Sequence, residues 1–288
     1  MQVARISVDQ AAPLLVFGGP YSNLQASEAM RAEADRLGIV PGNVICTGDV
    51  IAYAADPEPT SQLVRTWGIP VVAGNCEEQI AAGAADCGCG FEEGSACDLL
   101  AKGWYPYANA LVSAETRAWM AAMPGAMTFD YAGRSVRVIH GGTAQVNRFI
   151  FASESDVLAD EHARAGADLV IAGHAGLPFV TRTPTGTWLN AGVIGMPAND
   201  GTPDAWYALV EPDPDGALII KTRRLPYDHH AAAAATRRSG HANGYARTLV
   251  TGIWPSLDIL PAPEKAATGI RLKARTVKLA RPMRVAAE

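Results

Sequence analysis

Apolar positions in this chain follow two rhythms. Short runs rich in Val, Ile and Leu alternate with longer stretches in which apolar residues recur at helical spacing. A strand from Pro13 to Phe17 leads into a helix from Leu24 to Leu37, with Leu24, Ala29, Met30 and Leu37 as its apolar positions. Val44-Ile45-Cys46 predicts the next strand, followed by a helix near Ser61 to Trp67 and a strand at Val71-Val72. A helical insert from about Asp98 to Met123 carries Trp104, Tyr105, Tyr107 and Trp119, aromatics expected in the core. Met127–Tyr131 and Ser135–Ile139 bracket Ala132-Gly133-Arg134 as a hairpin. A helix from Ser155 to Ala165 precedes a strand at Leu169–Ala172. Thr181–Leu189 and Trp206–Val210 predict antiparallel strands of a second sheet. Leu218–Leu225 predicts the last strand, after the turn Asp213-Pro214-Asp215-Gly216. The alternation is that of an α/β fold with mixed sheets.

The pattern changes beyond Tyr227-Asp228. Residues 229–248 are rich in Ala and Arg and read as helical; Trp254-Pro255-Ser256-Leu257-Asp258 and Pro261-Ala262-Pro263 read as an extended, ordered arm. From Arg271 onward the chain is basic, and a mobile tail is expected. The organisation predicted is one domain over residues 1–228, with a helical and Cys/Gly-rich insert at about 77–123, and a C-terminal arm over 229–288. Trp254 is expected to pack on its own domain or on a partner subunit, which makes the arm a candidate contact between copies of the chain.

Composition narrows the function classes. The chain has 288 residues, 49% of them apolar, enough for one large core. Its net charge is −5, and the scattered Lys and Arg form no nucleic-acid footprint. The start, Met1-Gln2-Val3-Ala4-Arg5, lacks a signal peptide's apolar run, and no stretch approaches the length needed to cross a bilayer. A soluble, cytoplasmic protein with neither nucleic-acid nor membrane partners is expected.

Four segments carry candidate chemistry: Thr47-Gly48-Asp49, Gly74-Asn75-Cys76-Glu77, Ile139-His140-Gly141-Gly142 and Gly173-His174-Ala175-Gly176. Each sets a metal ligand beside glycine, directly after an apolar run that reads as a buried strand. Sites in layered α/β folds collect at the carboxyl ends of strands. One carboxylate, one amide oxygen and two imidazoles suit a divalent transition metal, Mn, Fe, Zn, Co or Ni.

In these motifs the sequence resembles the calcineurin-like metallophosphoesterases, most of all their small bacterial phosphodiesterase branch. The family pattern runs Asp-x-His, Gly-Asp, Gly-Asn-His or Gly-Asn-Cys, His-Gly and Gly-His-x-His. The resemblance spans roughly residues 13–225 and includes Gly48-Asp49-Val50-Ile51-Ala52-Tyr53 and Asn190-Ala191-Gly192-Val193-Ile194-Gly195-Met196-Pro197. It implies a four-layer α/β/β/α sandwich of two mixed sheets flanked by helices. It also implies a metal-dependent hydrolase of phosphate mono- or diesters, with Asp49, Asn75 and His140 as catalytic residues and His174 completing the ligand set.

The departures from the pattern are as informative. Gly19 stands where the first Asp belongs, Tyr21 where the first His belongs, and Gly176 where the last His belongs. In the family those three residues serve one metal of a pair. The other metal's set, Asp49, Asn75, His140 and His174, is complete. A site remodelled for one metal is expected, acting on a small-molecule phosphate ester or another anion. The alternative is a non-hydrolytic metal- or anion-binding protein on the same fold. Restoring the three lost ligands is expected to raise metal content toward two, unless Tyr21 or Leu177 fills the space.

Four residues are candidates for binding substrate. Tyr21 could donate its phenol to a substrate oxygen, or simply pack at a strand-to-helix turn. Asn23 could face the substrate or cap the helix that follows. Cys76 takes a place where many relatives have a catalytic His and others a Cys. Arg148 could turn its guanidinium toward the missing metal position and bind an anion there. Cys76, Cys87, Cys89 and Cys97 lie within a short Gly-rich span, open to a thiolate metal site, a redox pair or an incidental loop. Reduced thiols are expected in a cytosolic chain.

Overall fold

Strands whose two faces are both covered build the centre of this protein. The structure, a computed structural model, describes residues 2–241 and 243–281. Its strands are β1 (Val3–Arg5), β2 (Leu14–Phe17), β3 (Val44–Cys46), β4 (Ala126–Tyr131), β5 (Arg134–Ile139), β6 (Leu169–Ala172), β7 (Pro178–Thr183), β8 (Gly186–Ala191), β9 (Ala205–Pro212), β10 (Leu218–Leu225) and β11 (Thr276–Leu279). Its helices are α1 (Leu24–Arg36), α2 (Pro57–Trp67), α3 (Asn75–Ala82), α4 (Ala96–Leu111), α5 (Ala114–Ala121), α6 (Ser155–Ala165), α7 (His229–Ser239), α8 (Asn243–Thr251) and α9 (Ala262–Ala266).

The strands form two mixed sheets. One has six strands in the order β1-β4-β5-β6-β8-β7, the other five in the order β11-β10-β9-β2-β3. Alternation along β2 shows why they stack. Leu14 and Val16 join Val138, Ile171, Leu189 and Val210 in a core between the sheets. Leu15 and Phe17 face outward instead, packing with Met30 and Ala34 of α1 and Val64 and Trp67 of α2. On the far side, Leu158 and Ala165 of α6 cover Ile139, Val170 and Trp188 of the first sheet. The result is the α/β/β/α sandwich expected from the sequence.

Three expectations change. Thr181–Leu189 is not one strand of the second sheet: β7 and β8 form a hairpin, and β8 pairs in parallel with β6 in the first sheet. The Val71-Val72 strand reduces to a single bridge between Cys46 and Val71. The basic tail is ordered as far as β11, which pairs antiparallel with β10 from Leu218↔Leu279 to Lys221↔Thr276. The part of that tail beyond residue 281 lies outside the described residues.

The C-terminal arm folds back onto its own chain. Ala232, Ala233, Tyr245 and Leu249 share the core cluster of α1, α2 and β3. No helix among the described residues is long and apolar enough to cross a membrane.

Candidate metal centre

Three strand ends and one helix start converge at the carboxyl edge of the two sheets. Asp49 lies just past β3, His140 follows β5 directly, His174 follows β6, and Asn75 is the first residue of α3. All four are buried. Asp49 Oδ2 lies 3.1 Å from His140 Nε2 and 3.8 Å from His174 Nδ1, and the two imidazole nitrogens are 3.0 Å apart. Asp49, His140 and His174 form a cluster of candidate ligand atoms all within 4.8 Å of one another.

Backbone geometry is spent on aiming these groups. Asp49 and His174 both adopt the left-handed region, at φ 55° and 58°. That conformation is costly for a residue with a Cβ and is retained where the surrounding structure enforces it. Gly74 permits the close approach of the Asn75 turn, because a Cβ there would sit 2.2 Å from Asp49 Oδ1.

The surrounding hydrogen bonds fix which atoms face inward. The His140 Nδ1–H donates to the Thr47 carbonyl at 2.6 Å, leaving Nε2 as the lone-pair nitrogen at the centre. The Asn75 amide donates to the Cys87 carbonyl at 2.8 Å, while Asn75 Oδ1 is buried without any hydrogen-bond partner. A buried acceptor with no partner is costly, and a cation beside Asp49 satisfies it. The donor set of carboxylate, amide oxygen and two imidazoles therefore suits a divalent metal.

Electrostatics agree with that fit. Burial pushes the Asp49 carboxyl up, but the charges and hydrogen bonds of His140 and His174 outweigh it and hold it well below the usual range. Burial alone would lower His140, yet Asp49 raises it overall; His174, less strongly paired, ends lowered by burial.

Two positioning residues had gone unread in the sequence. Glu77 is fully buried and accepts backbone N–H groups from Asp49 at 2.7 Å, Gly74 at 2.9 Å and Ile51 at 3.2 Å. Its signal was the capping-box spacing, an acidic residue three positions after the helix N-cap. Burial, reinforced by the Asp49 charge, pushes its carboxyl up to about 7. Asn190 donates to the Gly173 carbonyl at 2.8 Å and so holds the His174 turn.

The candidate substrate-binding residues divide. Tyr21 lies at the centre's edge, its backbone N–H bonded to the Asp49 carbonyl at 3.1 Å. Asn23 caps α1, accepting from the Ala26 N–H at 3.1 Å and donating to the Gly195 carbonyl; its side chain is committed to the fold. Cys76 is buried, with its backbone N–H on Asp49 Oδ1 at 3.3 Å. Arg148 bonds Glu161 through its guanidinium at 2.6 Å. Glu161 also accepts from the Thr143 N–H and hydroxyl, so the pair clamps the loop after His140.

The four clustered cysteines do not form one thiolate site. Cys87 and Cys89 are joined to each other, a correction to the expected free thiols, because the turn at Gly88 brings their Cα atoms to 5.4 Å. Cys89 Sγ lies 3.3 Å and Cys76 Sγ 3.6 Å from the Asn75 amide nitrogen. Cys97 stands apart, beside Ser256 of the arm.

Aromatic rings stand beside two of the glycines that depart from the family pattern. A Cβ on Gly19 would lie 2.5 Å from Cζ of the Tyr21 ring. A Cβ on Gly176 would lie 3.1 Å from the Trp254 ring.

Known structures share this architecture. A metallophosphoesterase from Sphaerobacter thermophilus superimposes with a TM-score of 0.68 at 21% identity, over 84% of this chain and 100% of that one. A hypothetical protein from Pyrococcus horikoshii superimposes with a TM-score of 0.71 at 15% identity, over 84% of this chain and 99% of that one. No functionally curated protein matches the sequence significantly. The sequence profile of the calcineurin-like phosphoesterase superfamily domain matches residues 22–215, and with that match the chain belongs to the calcineurin-like phosphoesterase superfamily.

Proposed function

We propose that this protein is a phosphoesterase acting on a small-molecule phosphate ester with a single divalent metal held by Asp49, Asn75, His140 and His174. The carrying observation is the pairing of an intact half-site with a filled one. Asn75 Oδ1 is an orphaned acceptor at the intact half, while the rings of Tyr21 and Trp254 take the side-chain space at positions 19 and 176.

A bound divalent ion supplies Lewis-acid polarisation of a phosphoryl oxygen and acidifies water. The chain's own groups do the rest. Asp49 brings a carboxylate that its neighbours keep ionised. The Thr47 carbonyl holds the His140 ring in one tautomer, and the Cys87 carbonyl holds the Asn75 amide. Burial keeps the Cys76 thiol well above its usual range, so it stays neutral beside Asp49.

Metal analysis of purified protein should find about one equivalent, and added Mn, Fe, Co, Ni or Zn should support hydrolysis of p-nitrophenyl phosphate or its bis ester. Two equivalents, or activity indifferent to metal, overturns the proposal. The filled second position also favours a second reading, a metal-dependent binding protein without turnover. One equivalent of metal with phosphonate binding and no hydrolysis of any ester selects it.

A further inference from the structure

The space beside His174 opens into an aromatic cavity of about 60 Å³. One wall is Tyr21, Tyr53 and Tyr245. Tyr21 meets Tyr53 edge-on at 4.7 Å between centroids, and Tyr53 stacks on Tyr245 at 4.4 Å. The opposite wall is Phe91 and Phe149, 6.3 Å apart, with Phe149 stacked on His174 at 4.1 Å. Trp254 closes the end beside Gly176. Its indole N–H donates to the Pro197 carbonyl at 2.7 Å and its backbone N–H to Asn199 Oδ1 at 2.9 Å, so the ring is held in one orientation.

Three features decide what this cavity accepts. It borders the metal centre at His174, which belongs to both. No Lys, Arg, Asp or Glu lines it, so a charged occupant would lose its hydration with no partner in return. Flat aromatic walls favour a ring, which gains stacking beyond its buried area. Two of the closing residues, Tyr245 and Trp254, come from the arm, beyond residues 22–215 that match the superfamily profile.

Leaving-group chemistry points the same way. Beyond His174, no histidine lines the cavity. His162 bonds the Ala167 carbonyl and the Thr183 hydroxyl, while His229, His230 and His241 lie in or beside α7 of the arm. Expulsion of an alkoxide benefits from a general acid. A phenolate leaves as a far more stable anion and needs much less help.

Resting on the phosphoesterase reading, we propose that the cavity binds the aryl group of an aryl phosphate ester whose phosphoryl end lies at the Asp49, Asn75, His140 and His174 centre. In hydrolysis the water oxygen bonds to phosphorus while the P–O bond to the aryl oxygen breaks with its electron pair leaving on the phenolate; water gives up its proton to solvent and the phenolate takes one from solvent, so the phosphate and the phenol are the products.

The test compares phenylphosphonate with methylphosphonate by calorimetry on metal-loaded protein, with neutral p-cresol as a probe of the cavity alone. Phenylphosphonate should bind about tenfold tighter than methylphosphonate. That ratio should fall toward one in Ser256→Trp, which fills the cavity, and in Trp254→Ala, which removes its end wall. p-Cresol should bind wild type and be excluded by Ser256→Trp. Equal affinity for the two phosphonates overturns the aryl pocket and leaves the phosphoesterase reading standing. Preference for phenylphosphonate that survives both substitutions likewise overturns it. If p-cresol binds while neither phosphonate does, the phosphoesterase reading falls and takes the ester assignment with it.

Discussion

Replacing Glu77 probes how the centre is held. Glu77 is fully buried and accepts three backbone N–H groups, those of Asp49, Gly74 and Ile51. Glu77→Ala strands all three donors out of reach of water, at about 1–3 kcal/mol each. Removing a buried carboxylate, and its repulsion from Asp49, offsets part of that. A net loss of about 3 kcal/mol or more is expected, a large share of a typical folding stability of about 5–15 kcal/mol. Glu77→Gln separates the contributions. Its amide oxygen can keep the Asp49 and Gly74 donors, but its NH2 then confronts the Ile51 N–H, so the loss should be nearer 1 kcal/mol. Glu77→Ala frees the left-handed turn that aims Asp49, and its metal affinity should fall roughly 10–100-fold, as for other residues that orient ligands, with a smaller fall in Glu77→Gln. Urea unfolding and metal titration read the two effects separately. A Glu77→Ala protein with wild-type midpoint and wild-type metal affinity would falsify the reasoning.

Further expectations concern the ligands, the filled position, the loop clamp and pH. His140→Ala and His174→Ala should each reduce bound metal from about one equivalent to near zero; retained metal in both means that the ion sits elsewhere. Combining Gly19→Asp, Tyr21→His and Gly176→His should leave metal content near one, because Trp254 still occupies the space beside position 176. Adding Trp254→Ala should raise it, and a second equivalent without that change counts against the filling argument. Arg148→Ala should cost about 1–2 kcal/mol in urea unfolding through the lost bond to Glu161, with phosphonate affinity unchanged; weakened phosphonate binding would return Arg148 to the anion site. In metal-free protein, Glu77 is raised from 4.5 to about 7, so the folded state holds its proton more tightly than the unfolded chain. Its contribution is complete below pH 4.5 and falls, by order 3 kcal/mol, as pH rises to 7. His140, also raised, acts in the same direction, whereas lowered His174 opposes it. Asp49, lowered, contributes above 3.8 and loses stability only toward lower pH. The fall between pH 5 and 7 should shrink in Glu77→Gln, and an unchanged slope refutes the assignment.

Much of the sandwich was legible because its strands are buried on both faces. Val44-Ile45-Cys46 and Leu169–Ala172 are uninterrupted apolar runs, and they occur as β3 and β6. Their ends carry the ligands, so the same feature that made the strands readable also located Asp49 and His174. Pairing partners are a different matter. Nothing local says that β8 lies beside β6, and the Pro184-Thr185-Gly186 turn signal between β7 and β8 was passed over. β11 escaped because an edge strand with charged outward residues composes like a tail: Lys278 bonds Asp213 and Asp215 across the surface. Glu77 and Asn190 escaped for a related reason. Each acts on backbone groups of a distant turn, which leave no residue-type signature; the capping-box spacing marks Glu77 only as a partner of its own helix start, not of Asp49 and Ile51.

The glycines at 19 and 176 show how a sequence can mislead even where its motifs are plain. Aligned against the family pattern they look like deletions of function, two ligands reduced to nothing. In the fold they are requirements. Any side chain at 19 would meet the Tyr21 ring, and any at 176 would press on Trp254. Each glycine is therefore coupled to an aromatic residue, in one case two positions away and in the other in an arm that the family profile does not reach. The space here is aromatic, is walled partly by the arm and touches a surviving ligand, His174. On the function proposed above, the chemistry to look for is set by both halves together: a single cation on one side and a slot for an uncharged ring on the other.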